Sequence, residues 1–111
     1  MERFIKCDVI VVPFPFTNLT GSTRRPALVI TDLRGDDLIL CQITSKKRFD
    51  EYSIPLNDND LKEGSLRREN NNIRPNRIFT ADRHIILKRI DRLKEEKMKE
   101  VIEKIIQIIQ S

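Results

Sequence analysis

The sequence predicts a mainly β domain, a small antiparallel barrel, followed by one C-terminal α-helix. Two observations predict it. Before residue 94 the apolar residues gather in short Ile- and Val-rich runs separated by turn-forming residues, the pattern of regularly spaced strands. From Lys94 the period changes: Met98, Val101, Ile102, Ile105, Ile106 and Ile109 recur three and four apart, the spacing of one helix face. At 111 residues, with 39% of them hydrophobic, the chain is expected to be a single domain over 1–111 that folds around one core.

The strands expected in chain order are Asp8–Val12, Ala27–Thr31, Leu38–Thr44, Tyr52–Leu56, Arg77–Thr80 and Ile86–Ile90. Asp32–Asp37 lies between two apolar runs and contains Gly35, which reaches positive φ without steric cost, so it reads as a hairpin connection. The polar stretch Asn57–Asn72 reads as a loop with a short helical turn near Asp58–Leu61. The helix is expected over about 94–110. Its pairs Glu95/Lys99 and Glu100/Lys104 stand four apart in the favourable order, each worth roughly 0.2–0.5 kcal/mol.

Charge is informative by its placement. The net charge is +4 and the pI about 9.3, a weak preference for polyanions. Residues 57–93 carry nine bases against six acids, whereas the helical segment 94–111 is balanced at four against four. The surplus therefore sits in the body of the domain and not in a tail. Cys7 and Cys41 are 34 residues apart with no Cys-x-x-Cys pairing, and His84 is the single histidine, so no metal site and no cofactor are expected. No apolar run approaches the roughly 18 residues of a membrane span, and Met1-Glu2-Arg3 does not begin a signal peptide. A soluble, cytoplasmic protein with reduced cysteines and no membrane partner is the expectation.

Two segments are candidates for chemistry. Pro13–Pro26 joins the first two strands by a loop much longer than a tight hairpin, and it contains no acid. Arg24 and Arg25 stand where the chain re-enters the sheet, and guanidinium is suited to gripping phosphate in a bidentate manner; on charge alone, ordinary solvated arginines fit as well. Leu40–Arg48 is a strand that ends in the hydroxyls of Thr44 and Ser45 and runs into Lys46-Lys47-Arg48. Such a run holds a phosphate backbone or keeps a sheet edge soluble.

Taken together, Asp8–Asn18, then Gly21-Ser22-Thr23-Arg24-Arg25-Pro26-Ala27-Leu28-Val29-Ile30, then Cys41-Gln42-Ile43-Thr44-Ser45, resemble the PemK/MazF-like toxins of type II toxin–antitoxin systems. The order and spacing continue through Arg77-Ile78-Phe79-Thr80-Ala81-Asp82 and the terminal helix. The resemblance implies an SH3-like antiparallel barrel of the CcdB/PemK/MazF kind and a homodimer. It implies a metal-independent endoribonuclease, an mRNA interferase, that cuts single-stranded RNA through attack by the 2′-hydroxyl and leaves a cyclic phosphate and a 5′-hydroxyl. It also implies a cognate antitoxin whose acidic C-terminal segment blocks the RNA groove.

By position, the resemblance makes Arg25 and Thr44 the catalytic pair, with RNA contacts from Thr17, Asn18, Arg24, Ser45, Lys46, Lys47, Arg77 and Phe79. A guanidinium and a hydroxyl stabilise charge growing on phosphoryl oxygens without a metal. Guanidinium is a poor base at neutral pH, so Arg25 is expected to stabilise the transition state, with Thr44 supporting it. Two departures stand out. The segment 13–25 lacks the acid that some relatives place there, leaving the acceptor of the 2′-hydroxyl proton unassigned; and Arg77-Ile78-Phe79 stands where many relatives have Gln-Ile-Arg. Phe79 either stacks a base or packs in the core or a dimer contact. Arg74 reads by default as a surface arginine, and by resemblance as the end of a loop that relatives place near the dimer interface; Cys41 reads as a small buried hydrophobe and His84 as structural. A gyrase inhibitor of the CcdB kind and a non-catalytic single-strand binder are the alternative functions.

Overall fold

A computed structural model describes residues 3–14, 23–45, 50–64, 66 and 71–111. Six strands and one helix follow one another: β1 (Asp8–Phe14), β2 (Thr23–Asp32), β3 (Asp37–Thr44), β4 (Ile54–Leu56), β5 (Asn71–Asp82), β6 (Lys88–Arg92) and α1 (Glu95–Gln110). They form one antiparallel sheet in the order β4-β5-β3-β2-β1-β6, curled into a half-barrel. The curl brings its two edges together. After β4 the chain makes a short 3-10 turn at Asp58–Asp60 and reaches the far edge, where Leu61 bridges Leu93. Lys62 N–H donates to the Arg92 carbonyl, and Lys94 N–H to that of Asp60, both at 2.8 Å.

Alternation of side chains along each strand divides the core in two. On the face covered by α1, Val9, Leu28, Ile30, Cys41, Ile43 and Ile73 pack with Met98, Val101 and Ile105 of the helix. On the opposite face Ile10, Val12, Ala27, Val29, Leu38, Leu40, Ala81 and Ile86 form a second cluster, with Phe79 packed against it. The helix is held by this burial more than by its surface pairs. Glu95 and Glu96 occupy its first turn, where negative charge complements the exposed N–H groups. Among the described residues its ion pairs run from Lys97 to Asp60 (3.6 Å) and to Glu100 (3.3 Å), so the helix is tied to the 3-10 turn as well as to itself.

The main departure from the expected elements is β5. It starts at Asn71, inside the stretch that reads as loop, and not at Arg77. Its first half pairs on both sides: Asn71, Asn72 and Ile73 face Leu56, Pro55 and Ile54 of β4, while Asn72, Ile73 and Arg74 face Thr44, Ile43 and Gln42 of β3. Asparagines carry no apolar periodicity, and ladder hydrogen bonds on two sides hold them in the strand regardless. Between Gln42↔Arg74 and Cys41↔Ile78 the register slips, leaving Pro75, Asn76 and Arg77 as a bulge. Pro75 has no N–H to give the ladder, so a bulge is where a strand interior tolerates it. Cys41 Sγ–H donates to the Arg74 carbonyl beside this bulge at 3.0 Å.

Other boundaries shift less. β1 runs on through Pro13 to Phe14 and β2 begins at Thr23, so the connection expected over Pro13–Pro26 is shorter at both ends. β4 begins at Ile54 and not Tyr52. The Asp32–Asp37 hairpin forms, with Gly35 at φ 85° and Leu33 N–H donating to the Asp37 carbonyl at 3.0 Å.

Candidate active site

The sheet brings Arg25 and Thr44 to one end and one face. Arg25 pairs with Val12 across the β1–β2 ladder, and Thr44 with Asn72 across the β3–β5 ladder. The β2–β3 ladder pairs Ala27 with Gln42; carried two residues further, the same register sets Arg25 opposite Thr44. Directly opposed residues in an antiparallel pair share a face. That face is the one away from α1, because Val12, Ala27, Leu38 and Leu40, which alternate in step with Arg25 and Thr44, all belong to the second cluster.

Thr44 is buried at 4% exposure, and Arg25 is half-buried. The Nε of Arg25 is shielded from water and has no hydrogen-bond partner among the described residues. A buried donor without an acceptor costs about 1–3 kcal/mol, and natural folds carry few of them. This one belongs to the residue that the β2–β3 register, carried on, sets opposite Thr44. An incoming oxyanion would satisfy it.

Arg74 is the residue that sequence reasoning misses. It reads as a surface side chain and is instead 5% exposed, on the same face as Thr44, opposite Gln42 and one diagonal step from the Arg25–Thr44–Asn72 row. Its Nη2 donates to Asp50 Oδ2 at 3.1 Å, and its Nε, like that of Arg25, is buried without a partner among the described residues. Asp50 is itself bound: its Oδ1 accepts from Ser53 N–H (2.8 Å), Tyr52 N–H (3.0 Å) and Ser53 Oγ (3.0 Å). The Ser53 N–H above all, with the Ser53 hydroxyl, the Tyr52 N–H and the Arg74 charge, holds the Asp50 carboxyl below its ordinary range despite some desolvation. Arg-Pro after a run of asparagines gave no periodic signal that the side chain turns inward.

The other expected contacts divide. Arg24 follows the opposite alternation from Arg25 and is exposed, and Ser45 is half-buried directly after β3. Arg77 is exposed on the β5 bulge. Phe79 pairs with Leu40 and is half-buried against the second cluster, the packed arrangement weighed against base stacking. Thr17, Asn18, Lys46 and Lys47 lie outside the described residues.

Neither cysteine has the setting of a nucleophile. Burial pushes the Cys41 thiol up to about 12, outweighing the Arg74 backbone and charge, and burial likewise raises that of Cys7. His84 stands away from the candidate pair, with Nδ1 2.6 Å from Asp82 Oδ1 and its N–H donating to the same oxygen at 2.8 Å. The fold also brings Asp36 within 4.8 Å of Asp82 and His84, a proximity the sequence does not announce. Asp36 is engaged there by Arg83 Nε at 3.1 Å. No helix among the described residues is long and apolar enough to cross a membrane.

A curled antiparallel sheet of this order with one terminal helix is the architecture of the MazF toxins. MazF from Deinococcus radiodurans superposes with a TM-score of 0.78 at 14% identity, covering 100% of both chains. A MazE–MazF complex from the same organism gives 0.77 at 16% identity over 98% of each chain. An endoribonuclease in complex with its cognate antitoxin, from a mycobacterial species, gives 0.75 at 9% identity over 97% of this chain and 96% of that one. No curated protein sequence matches. The model of the family described as PemK-like, MazF-like toxin of type II toxin–antitoxin system matches residues 6–109, and the chain belongs to that family.

Proposed function

We propose that this toxin is a metal-independent endoribonuclease that cleaves single-stranded RNA, with Arg25 and Thr44 as its catalytic pair. The observation that carries the reading is their convergence: two residues 19 positions apart in sequence share one row of one sheet face, and the arginine keeps a buried, unmatched donor there. In the reaction the 2′-oxygen attacks the adjacent phosphorus, the bond from phosphorus to the 5′-oxygen breaks, and a 2′,3′-cyclic phosphate forms. The 2′-hydroxyl loses its proton and the departing 5′-oxygen gains one. Negative charge builds on the phosphoryl oxygens in between, and fixed donors aimed at that charge lower the barrier. Arg25 supplies a charged donor and Thr44 a neutral one.

Fold relatives solved with antitoxins support a cognate antitoxin as partner, and the exposed apolar residues Ile85, Leu87, Ile106 and Ile109 support a homodimer. Both belong to the proposal, as does action in the cytoplasm, where mRNA is found. The test is incubation of the purified protein with a long single-stranded RNA in EDTA. Discrete fragments with 5′-hydroxyl ends are expected, and Arg25→Ala should slow their appearance by at least about 10²-fold. Intact RNA, or cleavage indifferent to Arg25→Ala, overturns the assignment; salt-dependent binding without product selects a non-catalytic binder instead.

A further inference from the structure

We propose that Asp50 is a positioning residue of the cleavage site: it holds the Arg74 guanidinium against the Arg25–Thr44 row, at the point where the β3–β4 connection returns to the sheet. The inference rests on the endoribonuclease reading above and deepens it. Three observations converge on it. Arg74 projects from the face that carries Arg25 and Thr44, it is more than nine-tenths buried, and its Nε has no acceptor among the described residues. Arginine in that state is either an expensive piece of core or a donor kept ready for an anion. The face decides between them, since the neighbouring row holds another guanidinium whose Nε is likewise without a partner among the described residues, whereas the third such Nε, that of Arg83, lies 3.1 Å from the Asp36 carboxylate.

A long side chain with several rotatable bonds does not hold a pose by itself. Asp50 fixes it. One carboxylate oxygen takes Arg74 Nη2, while the other is saturated by the Ser53 and Tyr52 N–H groups and the Ser53 hydroxyl. The carboxylate is therefore anchored to its own turn and has one oxygen left to spend on Arg74. The division of labour sets the guanidinium's rotation and leaves its Nε edge uncommitted.

The experiment measures kcat and KM on single-stranded RNA for the wild type, Asp50→Asn, Arg74→Ala and the double variant Arg74→Ala/Asp50→Ala. Asp50→Asn keeps the shape and the oxygen that accepts from Ser53 and Tyr52, and replaces the charged oxygen that accepts from Arg74 with an amide NH2, a donor. It should lower kcat by about 10- to 100-fold with a smaller change in KM, as a misplaced catalytic donor does. Removing Asp50 from the Arg74→Ala background should cost nothing more. Millimolar guanidinium should restore part of the Arg74→Ala activity and none in the double variant, a rescue that a merely structural ion pair would not show. An Asp50→Asn enzyme with wild-type kcat, or additive losses in the double variant, overturns this proposal and leaves the endoribonuclease standing. A wild type that does not cleave overturns both. Circular dichroism and the thermal midpoint identify any variant that is unfolded, and Asp50→Glu, with the charge kept and the reach changed, then takes its place with the same expected fall in kcat.

Discussion

Cys7 shows how one residue records a constraint that its chemistry hides. It is buried, its N–H donates to the Val29 carbonyl at 3.1 Å, and its own carbonyl accepts from Leu93 N–H at 2.8 Å. Those two bonds hold it at φ 82°, a left-handed conformation that costs an L-residue roughly 1–2 kcal/mol. Cys7→Gly removes that strain and also a small buried side chain, so urea unfolding should register a net change within about 1 kcal/mol. Cys7→Val, more apolar and better suited to a strand, should lose more than about 2 kcal/mol because a β-branched side chain resists positive φ. A valine variant as stable as the glycine one would show that the backbone there relaxes freely. Arg25 and Thr44 are proposed from motifs that are local in the sequence. The burial of Arg74 has no such local signal, since its inward direction depends on pairing with Gln42, 32 positions earlier.

At the scale of elements, β6 is fastened by electrostatics that the apolar pattern does not reveal. Asp8 of β1 is fully buried and accepts from Arg92 Nη1 at 2.8 Å, from Arg89 Nη1 at 3.3 Å and from Ile5 N–H at 2.9 Å. Both arginines are more than a third exposed and rehydrate when the carboxylate is lost, so the cost of Asp8→Ala falls near the lower end of the buried-pair range, about 3 kcal/mol. Chemical denaturation should show it, with Arg89→Ala costing clearly less. The expected strand Ile86–Ile90 was displaced toward Lys88–Arg92 for the same reason: the apolar residues mark Ile86 as core, but the ladder bonds belong to the charged stretch after it. The terminal helix, by contrast, was readable almost to the residue, because an amphipathic helix writes its full periodicity into contiguous sequence.

At the scale of the whole molecule, two carboxylates among the described residues are expected to make stability respond to acid. Asp50 is held low mainly by Ser53, and Asp82 mainly by the N–H and ring of His84, each below the ordinary Asp value of 3.8. A carboxyl whose folded value is depressed contributes stability that is fully present above its unfolded value and is lost as pH falls through the folded one. Thermal midpoints should therefore be insensitive to these two groups at neutral pH and fall below about pH 4, with a smaller fall in Asp82→Asn; an unchanged acid profile in that variant would discount Asp82. The half-barrel as such was foreseeable from strand spacing. Its closure through Leu61 and Leu93 was not, because a single bridge between isolated residues leaves no pattern.

The three-residue bulge in β5 acts on the sheet as a frameshift acts on a reading frame. Before it, the even-numbered Arg74 faces away from the helix while Ile73 packs under it; after it, the odd-numbered Phe79 and Ala81 face away. An odd insertion exchanges the addresses of the two faces without interrupting the strand. One uninterrupted alternation would send either Arg74 or the Phe79–Ala81 pair to the wrong side. The slip at Pro75–Arg77 lets a single strand deliver a cation to the candidate site at one end and close the second cluster at the other.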